Sequence, residues 1–156
     1  MPRVRPAVWI LLLSISAPSA DVAVVPYTVC EILGDLTHFE TNPVAALGRY
    51  SFRGDGRWLS EQACDGAHTP VLWLTEDGKD GPRAPDQFEI DAVTLNRKFA
   101  DLRKHTSLGK FRFGSPDYDR WAVVYGRIEP RTGDAAKKAP AELIFRGDGV
   151  VVFLTP

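Results

Sequence analysis

The stretch from Asn42 to Cys64, NPVAALGRYSFRGDGRWLSEQAC, constrains the chain more than any other, because it reads as a strand, a tight turn and a returning strand. Val44, Ala46, Gly48, Tyr50 and Phe52 alternate with Ala45, Arg49, Ser51 and Arg53, and Leu47 is the one break. That is the pattern of a strand with one buried face. Gly54-Asp55-Gly56 supplies residues that tolerate positive φ, as a hairpin turn demands, and Arg57 to Cys64 returns carrying Trp58 and Leu59. The hairpin predicts the nucleus of a β-rich core.

The first twenty residues differ in kind. Arg3 and Arg5 precede an apolar run from Ala7 to Leu13, followed by the small residues SISAPSA, which reads as a secretory signal peptide over 1–20. The apolar run is shorter than the about 20 residues that cross a bilayer. Residues 21–156 then form a single domain, and 44 % hydrophobic content across the chain is enough to bury a core. Removing the signal takes away two positive charges and no negative ones, so the balance moves from 19 minus 20 to 17 minus 20, or −3. Such a balance argues against nucleic acid as partner, since phosphate contacts need concentrated positive charge. Past the signal no run is apolar and long enough for a transmembrane segment, so the expected location is periplasmic or extracellular.

Cys30 and Cys64 are the only cysteines. In an exported protein an even pair predicts one disulfide, here tying the segment before the hairpin to its return strand. The alternative is a reactive Cys30 thiol at the start of a helix, where the dipole lowers a thiol pKa.

Thr28-Val29-Cys30-Glu31 has the capping-box form, and Val29, Ile32, Leu33, Leu36 and Phe39 repeat at helical spacing, predicting a helix from Val29 to about Phe39. Asn42-Pro43 ends it. After the hairpin, Val71 to Thr75 reads as a short strand and 76–87 as an exposed loop. Its acids, Glu76, Asp77, Asp80 and Asp86, lack the alternating pattern of a calcium loop. Phe88, Ala92, Leu95, Phe99 and Leu102 form one stripe of an amphipathic helix over 88–107, with Asp86 or Asp91 as cap and Gly109 as stop. Strand-like text follows at 111–113, 119–129 and 141–154, with a polar loop from Pro130 to Pro140. Phe52-Arg-Gly-Asp-Gly56 recurs letter for letter as Phe145-Arg-Gly-Asp-Gly149.

The order α-β-β-β-α-β-β resembles the OB-fold, a Greek-key barrel with a helix between its third and fourth strands. The opening region is also similar to small exported bacterial OB-fold-like proteins of uncharacterised function, in which a short helix leads into a Gly-Lys-bearing first strand. The corresponding text here is Asn42 to Gly48, without the Gly-Lys. The competing architecture is an α+β sheet with both helices on one face.

Chemistry-bearing motifs are sparse. The two Arg-Gly-Asp triplets, 53–55 and 146–148, resemble an adhesion sequence, but Gly-Asp-Gly is also what a tight turn requires. His38, His68 and His105 lie on different elements without metal-ligand spacing, so no metal or cofactor is expected. No G-x-S-x-G elbow or cysteine-histidine signature is present. Asp117, Tyr118, Asp119 and Arg120, together with Trp58, form a possible ligand-binding rim at one barrel mouth; the plain alternative pairs Arg120 with an aspartate and buries Trp121. The expectation is a non-catalytic binding or interaction module. The alternatives are an enzyme of unrecognised type using Asp117, Asp119 and Arg120, and an envelope-associated structural protein.

Overall fold

The computed structural model describes Met1 and residues 23–66, 69–85, 89–109, 117–147 and 151–155. The signal-like segment, His68, Asp86, Phe88, the strand-like 111–113 and the aspartate of the second Arg-Gly-Asp triplet lie outside the described residues.

The hairpin forms where the alternation places it: β2 covers Val44–Arg53 and β3 covers Gly56–Ser60, preceded by a short β1, Pro26–Thr28. β4 (Val71–Glu76), β5 (Tyr118–Pro130), β6 (Ala141–Phe145) and β7 (Val151–Leu154) complete the sheet. The strand order is β1-β2-β3-β4-β6-β5-β7, and β2 also pairs with β5, so five strands close into a barrel. β4 and β6 run parallel, whereas the other four seams of the barrel are antiparallel.

Closure has a measurable stagger. Register partners lead from Asp119 on β5 to Ser51, Trp58, Trp73, Glu142 and back to β5 at Glu129. The circuit therefore returns ten residues along the same strand, the shear that sets strand tilt in a five-stranded barrel. The connection from β4 to β5 holds the longest helix among the described residues. This is the OB-like Greek-key arrangement, and it excludes a sheet with both helices on one face.

Residues in register share a face. Tyr50, Leu59, Leu72, Leu74, Leu143 and Phe145 point inward and are buried. The alternation breaks at Leu47 because β2 is covered on both sides: Val44 to Gly48 are all buried, with Ala45 and Leu47 on the outer face and Ala46 and Gly48 on the inner. A side chain at Gly48 would lie 3.1 Å from Val29 and 3.2 Å from the Ser60 carbonyl. Glycine there lets the first helix seat against the barrel interior.

The predicted Val29 to Phe39 helix is two helices, α1 (Val29–Gly34) and α2 (Leu36–Phe39). Gly34 costs helix stability, and Asp35 turns the chain at φ −147° and ψ 62°, closing α1 and capping α2 through His38 N. The Thr28–Glu31 capping box is present. α3 runs Ala92–His105, shorter than 88–107; Asp91 accepts from Val93 N and Thr94 N. It ends at an extended Thr106, not at Gly109. Phe99 meets Trp121 edge-on at 5.5 Å, so α3 lies on the outer face of β5. The polar loop after β5 contains α4, Gly133–Lys138. No helix among the described residues is long and apolar enough to cross a membrane.

Cys30 and Cys64 form a disulfide, with Cα atoms 5.2 Å apart. This rules out the free Cys30 thiol and fits an oxidising environment.

Candidate ligand-binding face

The expected rim residues alternate along the start of β5 and so point two ways. Tyr118 and Arg120 face inward with Tyr50 and Phe52; Asp119 faces outward with Ser51 and Trp58. The inward set fills one end of the barrel. Tyr118 stacks on Phe52 at 5.5 Å and on Tyr50 at 5.9 Å, and Phe153 closes on Tyr50 edge-on at 5.4 Å. Arg120 lies over Tyr118 and Phe153, and Arg57 over Phe145 while pairing with Glu76 at 2.7 Å. These rings and guanidinium groups crowd that end of the barrel, with Arg120 and Phe153 still exposed, so the expected rim residues are split between the inner and outer faces of β5.

Asp119 is a strut. One carboxylate oxygen accepts from Arg53 at 2.8 Å and the other from Gly109 N at 2.9 Å. Arg53 also donates to the Phe52 and Tyr118 carbonyls. Asp119 pairs with Arg53 and not with the adjacent Arg120, because neighbouring residues on a strand face opposite ways. The pairing also disposes of the first Arg-Gly-Asp triplet as an adhesion loop, since its arginine is fixed against the barrel. Trp121 is buried as expected, at 3 % exposure.

Burial alone would raise the Asp119 pKa; Ser51 beside it and the Arg53 and Arg49 charges outweigh that and hold it below the ordinary carboxylate range. A folded pKa below the unfolded one contributes stability that is present above about pH 4 and is lost as pH falls through the folded value. Asp119→Ala is expected to cost about 2 to 3 kcal/mol at neutral pH, less than a fully buried pair because Arg53 is partly exposed. Urea unfolding of the variant and the parent at pH 7 and pH 3 checks this: the difference should shrink in acid.

The cleft between α1, α3 and residues 61–63 encloses about 320 Å³ and is lined by Glu31, Glu61, Lys98, Asp101 and His105 among others. Its charged groups serve the fold. Glu61 accepts from Cys30 N at 2.7 Å at the start of α1, Lys98 pairs with Glu31 at 2.6 Å and lies over the Tyr27 ring, and Thr106 accepts from Gln62 N. Burial pushes the Glu61 carboxyl up, with hydrogen bonds from Cys30 N and Thr28 opposing, so this group favours the folded state more as pH falls. Beside the disulfide, these contacts make the cleft a joint that ties both helices to the end of β3.

The outer face of β3, β4 and β6 is different. Trp58 and Trp73 are register partners, both half-buried, and their rings stack 5.8 Å apart at 18°. Gly56 makes this possible: its φ is 140°, and a side chain there would run into the Trp73 ring. Arg131 lies over the Trp73 ring at 5.2 Å, and its Nη1 is buried with no hydrogen-bond partner among the described residues. Glu142 stands opposite Trp73 on β6 and accepts from Thr75 at 2.7 Å. Glu129 stands opposite Glu142 on β5 and holds Arg127 through Nε at 3.1 Å and Nη2 at 2.7 Å. Two glutamates directly across an antiparallel seam repel each other, a cost that stability alone does not explain.

In OB barrels, the face of the second and third strands and the loops flanking it hold ligands. Those strands are β3 and β4 here; the flanking loops are the 54–55 turn and the segment 131–140, which Thr69 anchors through the Lys137 carbonyl. Trp58 alone of the expected rim residues lies on this face beside accessible aromatic surface. Trp73, Arg131, Glu142 and Glu129 carry no local signal of a site; only the register brings them into line. Among the described residues no cluster of three or more His, Cys, Asp or Glu could hold a metal ion. His38 packs edge-on to Phe39 and His105 Nδ1 lies 3.1 Å from the Asp101 carbonyl. No protein-family model, curated protein or solved structure matches the chain.

Proposed function

We propose that the protein is an exported, non-catalytic binding module that holds its ligand on the outer face of β3 and β4. The observation that carries this reading is the stacked Trp58–Trp73 pair, partly exposed at the position where OB barrels take ligands and extended by Arg131. Aromatic rings left half in water cost hydrophobic stabilisation unless something covers them, and stacking a ligand ring on such a surface is worth about 1 to 3 kcal/mol. Export is supported by the disulfide and by the signal-like start of the sequence.

The enzymatic alternative requires Asp117, Asp119 and Arg120 to converge. Arg120 turns inward over Tyr118, and Asp119 is engaged by Arg53 and Gly109. The binding reading is therefore favoured.

Tryptophan emission during titration with hexasaccharides, oligonucleotides and short peptides tests it. At least one class is expected to give a saturable change, with affinity about tenfold or more weaker in Trp58→Ala. A ligand bound equally well by Trp58→Ala would place recognition elsewhere on the molecule.

A further inference from the structure

We propose that the ligand of this face is an uncharged, hydroxyl-rich saccharide chain, held by stacking at Trp58 and Trp73 and by hydrogen bonds to Glu142 and Arg131. The inference rests on the placement of the binding face argued above and adds the chemistry of what it holds.

Three observations point to that class. The first is geometric. Trp58, Trp73, Glu142 and Glu129 follow one another across four strands in a single register row, and inter-strand spacing of about 4.8 Å makes this row roughly 14 Å long. Rings at one end and carboxylates at the other suit an extended ligand with apolar faces and polar edges. The saccharide ring meets this description: its C–H faces stack on aromatics while its hydroxyls point outward in the ring plane.

The second is the balance of charge. Arg127 is held by Glu129 through two nitrogens, which leaves Glu142, across the β4–β6 ladder from Trp73, as the acceptor and Arg131, over the Trp73 ring, as the donor. One negative and one positive group cancel. A hydroxyl both donates and accepts, so a chain of hydroxyls can satisfy both groups at once.

The third separates saccharides from the other ligand class that such faces take. Single-stranded nucleic acid needs a groove of net positive charge to follow its phosphates. Here the row ends in two carboxylates facing each other across the β5–β6 seam. A phosphate laid along it would meet Glu142 and then Glu129, and the one arginine beside Glu129 is already engaged. The formal charge of the whole chain, −1, adds no compensating field.

The test uses the folded, oxidised protein at one ionic strength, with cellohexaose, chitohexaose and laminarihexaose as neutral probes and the oligonucleotide dT12 as the charged one. The expected result is a saturable change in tryptophan emission with at least one hexasaccharide and none with dT12. Affinity should fall about tenfold in Trp58→Ala and by a similar factor in Glu142→Gln, which keeps the side-chain shape and so separates loss of the acceptor from misfolding. A melting temperature in Glu142→Gln no lower than the parent's is the accompanying control, since the substitution also removes one of two facing carboxylates. Binding of dT12 with the same dependence on Trp58, and no hexasaccharide bound, would overturn the saccharide assignment and leave the binding face standing. Silence from every probe would remove both.

Discussion

Replacing both cysteines, Cys30→Ala with Cys64→Ala, is expected to lower the free energy of unfolding by about 3 to 4 kcal/mol. The bond closes a loop over a sequence separation of 34, and on the chain-entropy account most of its effect is to restrict the unfolded chain. Its position adds a native-state reason for a large effect. Cys30 sits in a six-residue helix that could not persist alone. Cys64 lies past the end of β3, where Glu61 and Gln62 hold the chain through Cys30 N and Thr106. Without the bond, α1 keeps the apolar contacts of Val29, Ile32 and Leu33 with the barrel, the Glu61 hydrogen bond to Cys30 N and the Lys98–Glu31 pair, but loses its covalent tie to the chain past β3. Denaturant midpoints of the parent with and without dithiothreitol, and of the double variant, measure this. Reductant should bring the parent close to the variant and leave the variant unmoved; a difference below about 1 kcal/mol would show that packing alone seats the helix.

Phe145→Ala is expected to cost about 3 to 5 kcal/mol. Phe145 is 1 % exposed at the end of β6, in parallel register with Glu76 and beneath the Arg57 guanidinium at 5.2 Å. Truncation opens a cavity under a charged group whose pairing with Glu76 depends on that floor. Ile144→Ala, one residue away on the partly exposed outer face, should cost about 1 kcal/mol or less. The contrast between neighbours checks the inside-outside assignment of β6 by equilibrium unfolding, and equal losses at the two positions would contradict it.

The parts legible in the sequence were those with local causes. β2 falls at Val44–Arg53 as the alternation and the following Gly-Asp-Gly turn require, and the capping box at Thr28 starts a helix at Val29. The element order led to the barrel because few closures are available to three strands, a helix and two more strands. Local patterns failed where a distant partner decides. β3 stops at Ser60 instead of reaching Cys64 because Glu61 and Gln62 are drawn to α1 and Thr106. β1 gives only three residues of pairing against β2, too short to register as a periodic run. The candidate face is the clearest case. Trp58 was visible as a tryptophan on a hairpin, but Glu142 reaches Trp73 across a parallel ladder whose two strands are some seventy residues apart. Arg120 and Asp119 are adjacent in the chain yet turned to opposite faces, whereas Arg53 and Asp119 meet from a separation of 66.

The seam between β4 and β6 has a kinetic consequence. β4 has no second neighbour until residues 141–145 arrive, and β2 and β5 must also meet across some seventy residues. Non-local pairings of this kind carry their loop-closure entropy before any contact offsets it, which places such barrels among the slower folders, in the range of about milliseconds to seconds. A chain ending before β6 would hold the hairpin and α1 yet leave two strand edges open, so the last sixteen residues decide when the barrel can form at all.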